Sequence, residues 1–127
     1  MGGMYAQQIT GFKRILVNPS FHVSNTLKKN IGKTLPFFSP REDGNTEFDV
    51  TEMLVKKFEK MEANQFDNAK DPKNVMALFG TNDTTVNCKE EYLKYYENYV
   101  DFNGEHRLTD EIIEDIIAPL IKEKLGL

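Results

Sequence analysis

The sequence has a single cysteine, no long apolar run and no excess of basic residues, and each shortage excludes a class of protein. With Cys88 alone an intramolecular disulfide is impossible, which is typical of a protein from a reducing compartment. No stretch approaches the roughly 18 apolar residues that a membrane-spanning helix needs, and the first residues lack the basic-then-apolar order of a signal peptide. These absences predict a soluble, cytoplasmic protein with no membrane partner.

The charge balance also narrows the classes of partner. Lys and Arg number 16 against 20 Asp and Glu, which gives a net charge of −4 with neither sign gathered into long runs. Because nucleic-acid-binding proteins usually carry a basic patch or stripe, we expect no nucleic-acid partner. The two histidines, Cys88 and the carboxylates show no metal-ligand spacing such as CxxC or HExxH, so we expect no metal site.

What the sequence does contain is enough apolar material for one domain, or for part of one. The hydrophobic fraction is 39% and the aromatic fraction 11% in 127 residues. Three short runs predict β-strands: RILVNP (Arg14–Pro19), NVMALFG (Asn74–Gly80) and YVDFN (Tyr99–Asn103). The first run is apolar at successive positions, which predicts a strand covered on both faces, as in a parallel sheet.

Helical signals alternate with these strands. A short helix is predicted over Met4–Ile9, ending at Gly11, and a second from Asp49, with Glu52 in a capping box and Leu54, Phe58 and Met61 on its apolar face. A third helix is predicted from Asn87 to about Tyr99, and its apolar side is formed by Tyr92, Leu93, Tyr96 and Tyr99. A fourth is predicted from near Thr109, with a kink at Pro119. Residues 20–47 show no regular helix or strand pattern. We therefore predict a lid-like insertion over about residues 20–70. The alternation predicts an α/β fold with parallel strands.

Two polar clusters follow the second and third predicted strands. Asp83 lies in FGTNDTTV and His106 lies in DFNGEHR. Taken singly, Asp83 is explained by turn or helix capping, and His106 by an ordinary surface position. Ligands of open α/β sheets bind outside the carboxyl ends of the strands, where these two side chains would meet if the strands are neighbours. A carboxylate that orients a histidine is two thirds of a Ser-His-Asp triad, so a nucleophile remains to be found.

Several short motifs occur in an order that is shared with a known family. They are Met1-Gly2-Gly3-Met4-Tyr5-Ala6, Val17-Asn18-Pro19, Gly80-x-x-Asp83-x-x-Val86, Gly104-Glu105-His106, and a terminal segment with Glu114, Asp115, Pro119 and Leu125-Gly126-Leu127. In these motifs the chain resembles the C-terminal half of an α/β-hydrolase, most closely the small bacterial YqiA/YcfP-like esterases. The similarity extends over nearly the whole chain and is weakest between Phe21 and Lys70.

The resemblance implies a partial α/β-hydrolase fold over residues 1–127, with about three parallel strands, flanking helices and the N-terminal half absent. It implies a carboxylesterase or thioesterase acting on small ester or thioester substrates, without a cofactor or metal. Asp83 and His106 would be catalytic, Gly2 and Gly3 would belong to the nucleophile elbow, and Met1 would occupy the oxyanion-hole position. The nucleophilic serine would immediately precede Met1, so we expect this chain alone to be inactive and the natural product to extend upstream.

Other interpretations of the same sequence stay open. The chain could be a truncated hydrolase that serves as an assembly or binding module, forming a homo-oligomer through an exposed strand edge at residues 14–19. Cys88 could be a nucleophile at a helix start, and Ser20 could line the pocket. The remaining candidates are His22 in the lid, Phe21, Phe37 and Phe38 as a substrate wall or sheet cover, and Tyr92, Tyr96 and Tyr99 as a core-facing helix side.

Overall fold

The computed structural model describes residues 1–67, 69 and 71–127, in which short helices and strands alternate. In chain order the elements are α1 (Gly2–Ala6), β1 (Arg14–Val17), α2 (Val23–Lys28), β2 (Thr34–Pro36), β3 (Glu47–Asp49), α3 (Glu52–Ala63), a 3₁₀ turn (Pro72–Asn74), β4 (Val75–Gly80), α4 (Lys89–Tyr92), β5 (Tyr99–Phe102), α5 (Asp110–Ile112), a π-helical turn (Ile113–Ile117) and α6 (Ala118–Leu125). Residues 1–21 with 65–127 form one compact unit, and residues 22–64 form a second.

The three predicted strands form one parallel sheet with the order β1-β4-β5. Leu16 of β1 pairs with Ala77 of β4, and Leu78 of β4 pairs with Val100 of β5. The chain is therefore a mixed α/β protein with a three-stranded parallel sheet and flanking helices, and this level of the sequence prediction is confirmed. The carboxyl ends of β4 and β5 lie side by side, because they are neighbours running in the same direction.

Both faces of the sheet are covered, as the apolar runs predicted. Leu16, Ala77 and Phe79 lie in one core cluster with Met4 of α1 and Tyr92 of α4. Alternate residues of the same strands lie in another cluster, where they meet the apolar side of the terminal helix. The members of that second cluster are Ile15, Val17, Met76, Leu78, Val100, Phe102, Leu108, Ile112, Ile116, Ile117, Leu120 and Ile121.

The terminal helix begins where the sequence predicts. The hydroxyl of Thr109 accepts a hydrogen bond from the Ile112 amide at 3.2 Å, and Asp110 and Glu111 lie in the first turn, where the helix dipole favours acidic residues. A π-helical turn precedes α6, and Pro119 lies in the first turn of α6, where a residue without an N–H is tolerated. The sequence predicted a kink at Pro119; the irregularity that the structure describes is the π-helical turn of residues 113–117, before the proline.

Several predicted helix limits are wrong. The first helix is Gly2–Ala6 rather than Met4–Ile9. The helix expected from Asp49 begins at Glu52, because Asp49 belongs to β3 and the Thr51 hydroxyl accepts the Leu54 amide as an N-cap. Its buried apolar face centres on Val55, with Phe58 packed nearby; Met61 is 40% exposed.

The third helix was also predicted too long. It spans only Lys89–Tyr92 instead of reaching Tyr99, and it is followed by turns. The Tyr92 hydroxyl donates to the carbonyl of Asn98 at 2.5 Å. This bond ties the short helix to the residue before β5, so that Tyr92 and Tyr96 are both buried while the chain turns between them and the strand.

The segment over residues 20–47, which was expected to be irregular, contains regular elements. From residue 22 onward it forms, together with α3, the unit of residues 22–64, in which β2 and β3 form an antiparallel hairpin with Leu35 opposite Phe48. Leu27, Val50 and Val55 form its small core. The buried carboxylate of Glu62 accepts hydrogen bonds from the Ser24 amide, at 2.9 Å, and from the Ser24 hydroxyl, which joins α3 to the first turn of α2.

A buried polar network holds α1 in the sheet unit. The Gln7 side chain donates to the carbonyl of Gln65 at 2.7 Å and accepts from the Tyr96 hydroxyl at 2.5 Å. The guanidinium of buried Arg14 donates to the Gln7 carbonyl at 3.1 Å. These bonds fix the end of α1 next to β1. Gln65 and Tyr96 are far from Gln7 in the sequence, so the tertiary fold brings these groups together.

Within the ranges given above, none of the helices has the length and apolar content that crossing a bilayer requires.

Candidate functional site

The turns that follow β4 and β5 are held together by main-chain hydrogen bonds. The Thr81 amide donates to the carbonyl of Phe102 at 2.9 Å, and the Asn82 amide donates to the carbonyl of Gly104 at 3.0 Å. The pairing of the two strands thus continues past their ends. Because Asp83 follows the first turn and His106 follows the second, this pairing brings the two predicted side chains to one edge of the sheet.

Asp83 and His106 are in direct contact. Oδ2 of Asp83 lies 2.9 Å from Nδ1 of His106. The Asp83 side chain is 5% exposed and that of His106 is 37% exposed. A carboxylate accepts hydrogen bonds only, so a neutral His106 carries its proton on Nδ1 and leaves the Nε2 lone pair available as a base.

The second oxygen of Asp83 explains why the carboxylate is fixed. Oδ1 accepts hydrogen bonds from the amides of Thr85 and Val86, each at 2.9 Å. This arrangement is the turn-capping role that we considered as the ordinary explanation of Asp83. The two roles coexist, because capping occupies one oxygen and leaves the other directed at the imidazole.

Two glycines allow the strand ends to approach so closely. A Cβ atom on Gly80 would lie 2.5 Å from the carbonyl oxygen of Gly104, and one on Gly104 would lie 2.6 Å from the Phe102 ring. Any larger residue at position 80 would push the turn that carries His106 away from the turn that carries Asp83. Close packing therefore explains the glycines at the start of the Gly80-x-x-Asp83 and Gly104-Glu105-His106 motifs.

The first residues of the chain and His106 line one cleft of about 250 Å³. Gly3 is pressed against the residue after β1, since a Cβ atom there would lie 2.6 Å from Cβ of Pro19, whereas a Cβ on Gly2 would meet nothing within 4 Å. The residues lining the cleft are Met1, Gly2, Gly3, Val17, Asn18, Pro19, Ser20, His106 and Leu108. The structure thus brings Met1, Gly2 and Gly3 to the cleft of His106, and it brings Ser20 there as well.

Cys88 lies in a neighbouring cleft of about 230 Å³ that Asp83 also lines. Burial raises the pKa of the Cys88 thiol, with further raising by the charges of Glu91 and Asp83. Fewer thiolates at a given pH make a poorer nucleophile, so the environment does not favour catalysis by Cys88. In the same cleft Lys89 pairs with Asp101 at 2.8 Å.

The remaining candidates are divided between the two units of the chain. Phe21 is fully buried in the core of the sheet unit, which supports the cover interpretation for this residue. In the unit of residues 22–64, His22 is the residue before α2, Phe37 packs on Phe48 and Phe38 is 98% exposed. Tyr92 and Tyr96 face the core as predicted, but Tyr99 is 41% exposed.

Sequence reasoning gave no role to Asn18. Its side chain contacts the main chain at Gly80, Glu105 and His106. The available signal was an asparagine directly after an apolar strand, since asparagine is one of the few residues that adopt left-handed backbone angles readily. That signal indicates a turn and does not identify what the side chain binds.

Among the side chains that the structure describes, no three His, Cys, Asp or Glu residues come together as a metal site would require. Comparison with protein-family models and with curated proteins gave no match to this chain.

Proposed function

We propose that this chain supplies the acid and the base of a serine-hydrolase centre, of carboxylesterase or thioesterase type, in an α/β-hydrolase framework. The observation that carries the proposal is the 2.9 Å contact between Asp83 Oδ2 and His106 Nδ1 at the carboxyl edge of a parallel sheet. In this role His106 takes the proton of a nucleophilic hydroxyl and later delivers it to the leaving alcohol or thiol. Asp83 holds the imidazole in the required tautomer and stabilises its cation.

The cleft beside His106 supports the position proposed for the nucleophile. Met1, Gly2 and Gly3 line this cleft, and Gly3 packs tightly against Pro19. A serine joined to the amino side of Met1 would therefore enter the cleft that His106 lines. The Met1 nitrogen, as an amide, would be one hydrogen-bond donor to the oxyanion that forms on the acyl carbonyl.

The test compares this 127-residue chain with one extended upstream in the reading frame of its gene, both assayed with p-nitrophenyl esters and thioesters. We expect no turnover by the short chain and turnover by a chain in which a G-x-S segment precedes Met1. In the extended chain, Asp83→Asn should lower kcat by about 10³- to 10⁴-fold, because the carboxamide no longer selects the productive tautomer. His106→Ala should lower kcat at least as much.

Three outcomes would count against the proposal in this form. A stop codon directly upstream of the Met1 codon would remove the proposed nucleophile. Undiminished kcat in the extended Asp83→Asn variant would remove the role of the acid. Turnover by the short chain that Ser20→Ala abolishes would move the nucleophile to Ser20, the hydroxyl residue that already lines the cleft.

A second function, that of an assembly module, is favoured by the edge of the sheet. In the part of the chain that the structure describes, β1 pairs with β4 on one side and with no strand on the other. The edge carries the consecutive apolar residues Ile15, Leu16 and Val17. A strand edge that pairs with no other strand can recruit a further strand, so this function predicts a homo-oligomer formed through residues 14–17.

A further inference from the structure

Asn18 occupies an unusual position directly after β1. Its φ angle is +44°, in the left-handed region, and the residue is 7% exposed. Its own amide donates to the carbonyl of Leu78 at 2.9 Å, which continues the pairing of β1 with β4 by one residue. The main chain of Asn18 is therefore anchored at the carboxyl end of the sheet, with a strained backbone conformation that asparagine tolerates.

The side-chain amide of Asn18 uses both of its ends. Oδ1 accepts a hydrogen bond from the Gly80 amide at 2.7 Å, at the end of β4. Nδ2 donates to the carbonyls of Glu105 at 2.9 Å and His106 at 3.2 Å, in the turn after β5. The orientation of the amide is fixed by its partners, because an N–H requires an acceptor and two carbonyls require a donor.

Through these bonds Asn18 connects the carboxyl ends of all three strands of the sheet. Asn18 extends β1, binds the last residue of β4 and holds the turn that follows β5. His106 is thus held at two points: its imidazole by Asp83, and its main-chain carbonyl by Asn18. The same turn is also held by the Asn82 amide, which donates to the Gly104 carbonyl, and by Leu108, which packs against the core. The Asn18 side chain adds the bonds to the carbonyls of Glu105 and His106, next to the imidazole itself.

We propose that Asn18 is the positioning residue of His106, and that its Nδ2 donor keeps the imidazole in register with Asp83. The inference deepens the proposed function, since the positioned histidine is the proposed base. Its test uses the histidine tautomer of the 127-residue chain and therefore does not depend on finding esterase activity.

The decisive variant is Asn18→Asp. Aspartate has nearly the same shape, tolerates left-handed angles and keeps an acceptor for the Gly80 amide, but as a carboxylate it cannot donate to the carbonyls of Glu105 and His106. The matched control is Asn82→Asp, which introduces the same charge on the same edge. The side chain of Asn82 donates to Asn103 at 2.8 Å, and this bond does not involve the carbonyls of Glu105 and His106.

The readout is ¹⁵N NMR of the two histidines, with the tautomer read from the neutral imidazole form and His22→Gln used to assign the signals. In the parent chain we expect the Nδ1–H tautomer of His106 to predominate, although free histidine in water favours the other one. In Asn18→Asp this preference should be lost, as in Asp83→Asn, while the Gly80 amide stays protected from exchange. The Asn82 amide, which donates to the Gly104 carbonyl, should exchange at least roughly fivefold faster, because two hydrogen bonds that hold this turn are lost.

Asn82→Asp should keep the parent tautomer. A folded Asn18→Asp variant with the parent tautomer and parent exchange rates would overturn the proposal. If Asn18→Asp fails to fold, Asn18→Gly replaces it, since glycine accepts the backbone angle and removes all three side-chain bonds. The parent tautomer in Asn18→Gly would overturn the proposal equally.

Discussion

At the scale of single residues, the glycines near the start of the chain have different roles. Gly3 contacts Pro19 so closely that an added Cβ would lie 2.6 Å from Cβ and 3.0 Å from Cα of that proline, while Gly2 faces open space. Both glycines lie in α1, where alanine fits the backbone. The difference between them is therefore a difference in packing alone.

This contrast gives a matched pair of substitutions. Gly3→Ala should reduce the free energy of unfolding by about 1–3 kcal/mol, because α1 must move away from Pro19. Gly2→Ala should leave it unchanged or raise it by up to about 1 kcal/mol, through the better helix propensity of alanine. Urea unfolding of both variants measures the difference, and equal effects at the two positions would contradict the packing that we describe.

At the scale of elements, the segment from α4 to β5 depends on two buried tyrosines. Tyr92 is fully buried and Tyr96 is 1% exposed. Burial raises the pKa of Tyr92 and of Tyr96 above the ordinary value, because the phenolate would lose its hydration. The Tyr92 hydroxyl bonds to the Asn98 carbonyl, which ties α4 to the residue before β5, and the Tyr96 hydroxyl bonds to Gln7, the residue after α1.

The direction of these shifts predicts an alkaline limit of stability. Since the folded-state pKa values lie above those of the unfolded chain, the stabilising contribution is complete below about pH 10 and is lost as the pH rises through the folded-state values. We expect the free energy of unfolding to fall above about pH 10, with two of the five tyrosines forming phenolate late, as the chain unfolds.

Absorbance of phenolate during an alkaline titration measures this directly. Tyr92→Phe should remove one late tyrosine, whereas Tyr95→Phe, at a residue that is 42% exposed, should leave both late tyrosines in place. Ionisation of all five tyrosines in one early step, with the chain still folded, would contradict the burial of Tyr92 and Tyr96.

The same elements show what the sequence could and could not predict. Apolar runs identified β1 and β4 because a strand covered on both faces has few polar positions, and that pattern is local. The edge strand β5, in which Tyr99 and Asp101 are exposed, was identified from its short β-type run alone. The end of α4 at Tyr92 was missed because it depends on the hydroxyl bond to Asn98 and on burial of Tyr96, which are tertiary contacts. The meeting of Asp83 and His106 was predicted on the condition that their strands are neighbours, which β4 and β5 are. The bonds of Asn18 join residues up to 88 positions apart and leave no local pattern.

At the scale of the whole molecule, the edge of β1 that faces away from β4 bears on both proposed functions, the hydrolase centre and the assembly module. The Asn18 amide donates to Leu78 of β4, so by alternation the amides of Leu16 and Arg14 face β4 and those of Ile15 and Val17 face away from it. The opposite edge of the sheet carries Asp101 of β5, paired with Lys89, and charged residues discourage strand addition. We therefore expect β1 to be the edge that pairs.

Light scattering over a range of protein concentrations tests this expectation. The 127-residue chain should associate through β1, and Val17→Pro should weaken association, because proline removes an outward amide without breaking the bonds to β4. Val17→Ala is the control: it trims the side chain, keeps that amide and should still associate. If the hydrolase proposal also holds, an upstream strand that carries the nucleophile would cover the same edge, and the extended chain should be a monomer. A 127-residue chain that is monomeric at every concentration would contradict the assembly function and leave the extended hydrolase as the better account of the exposed edge.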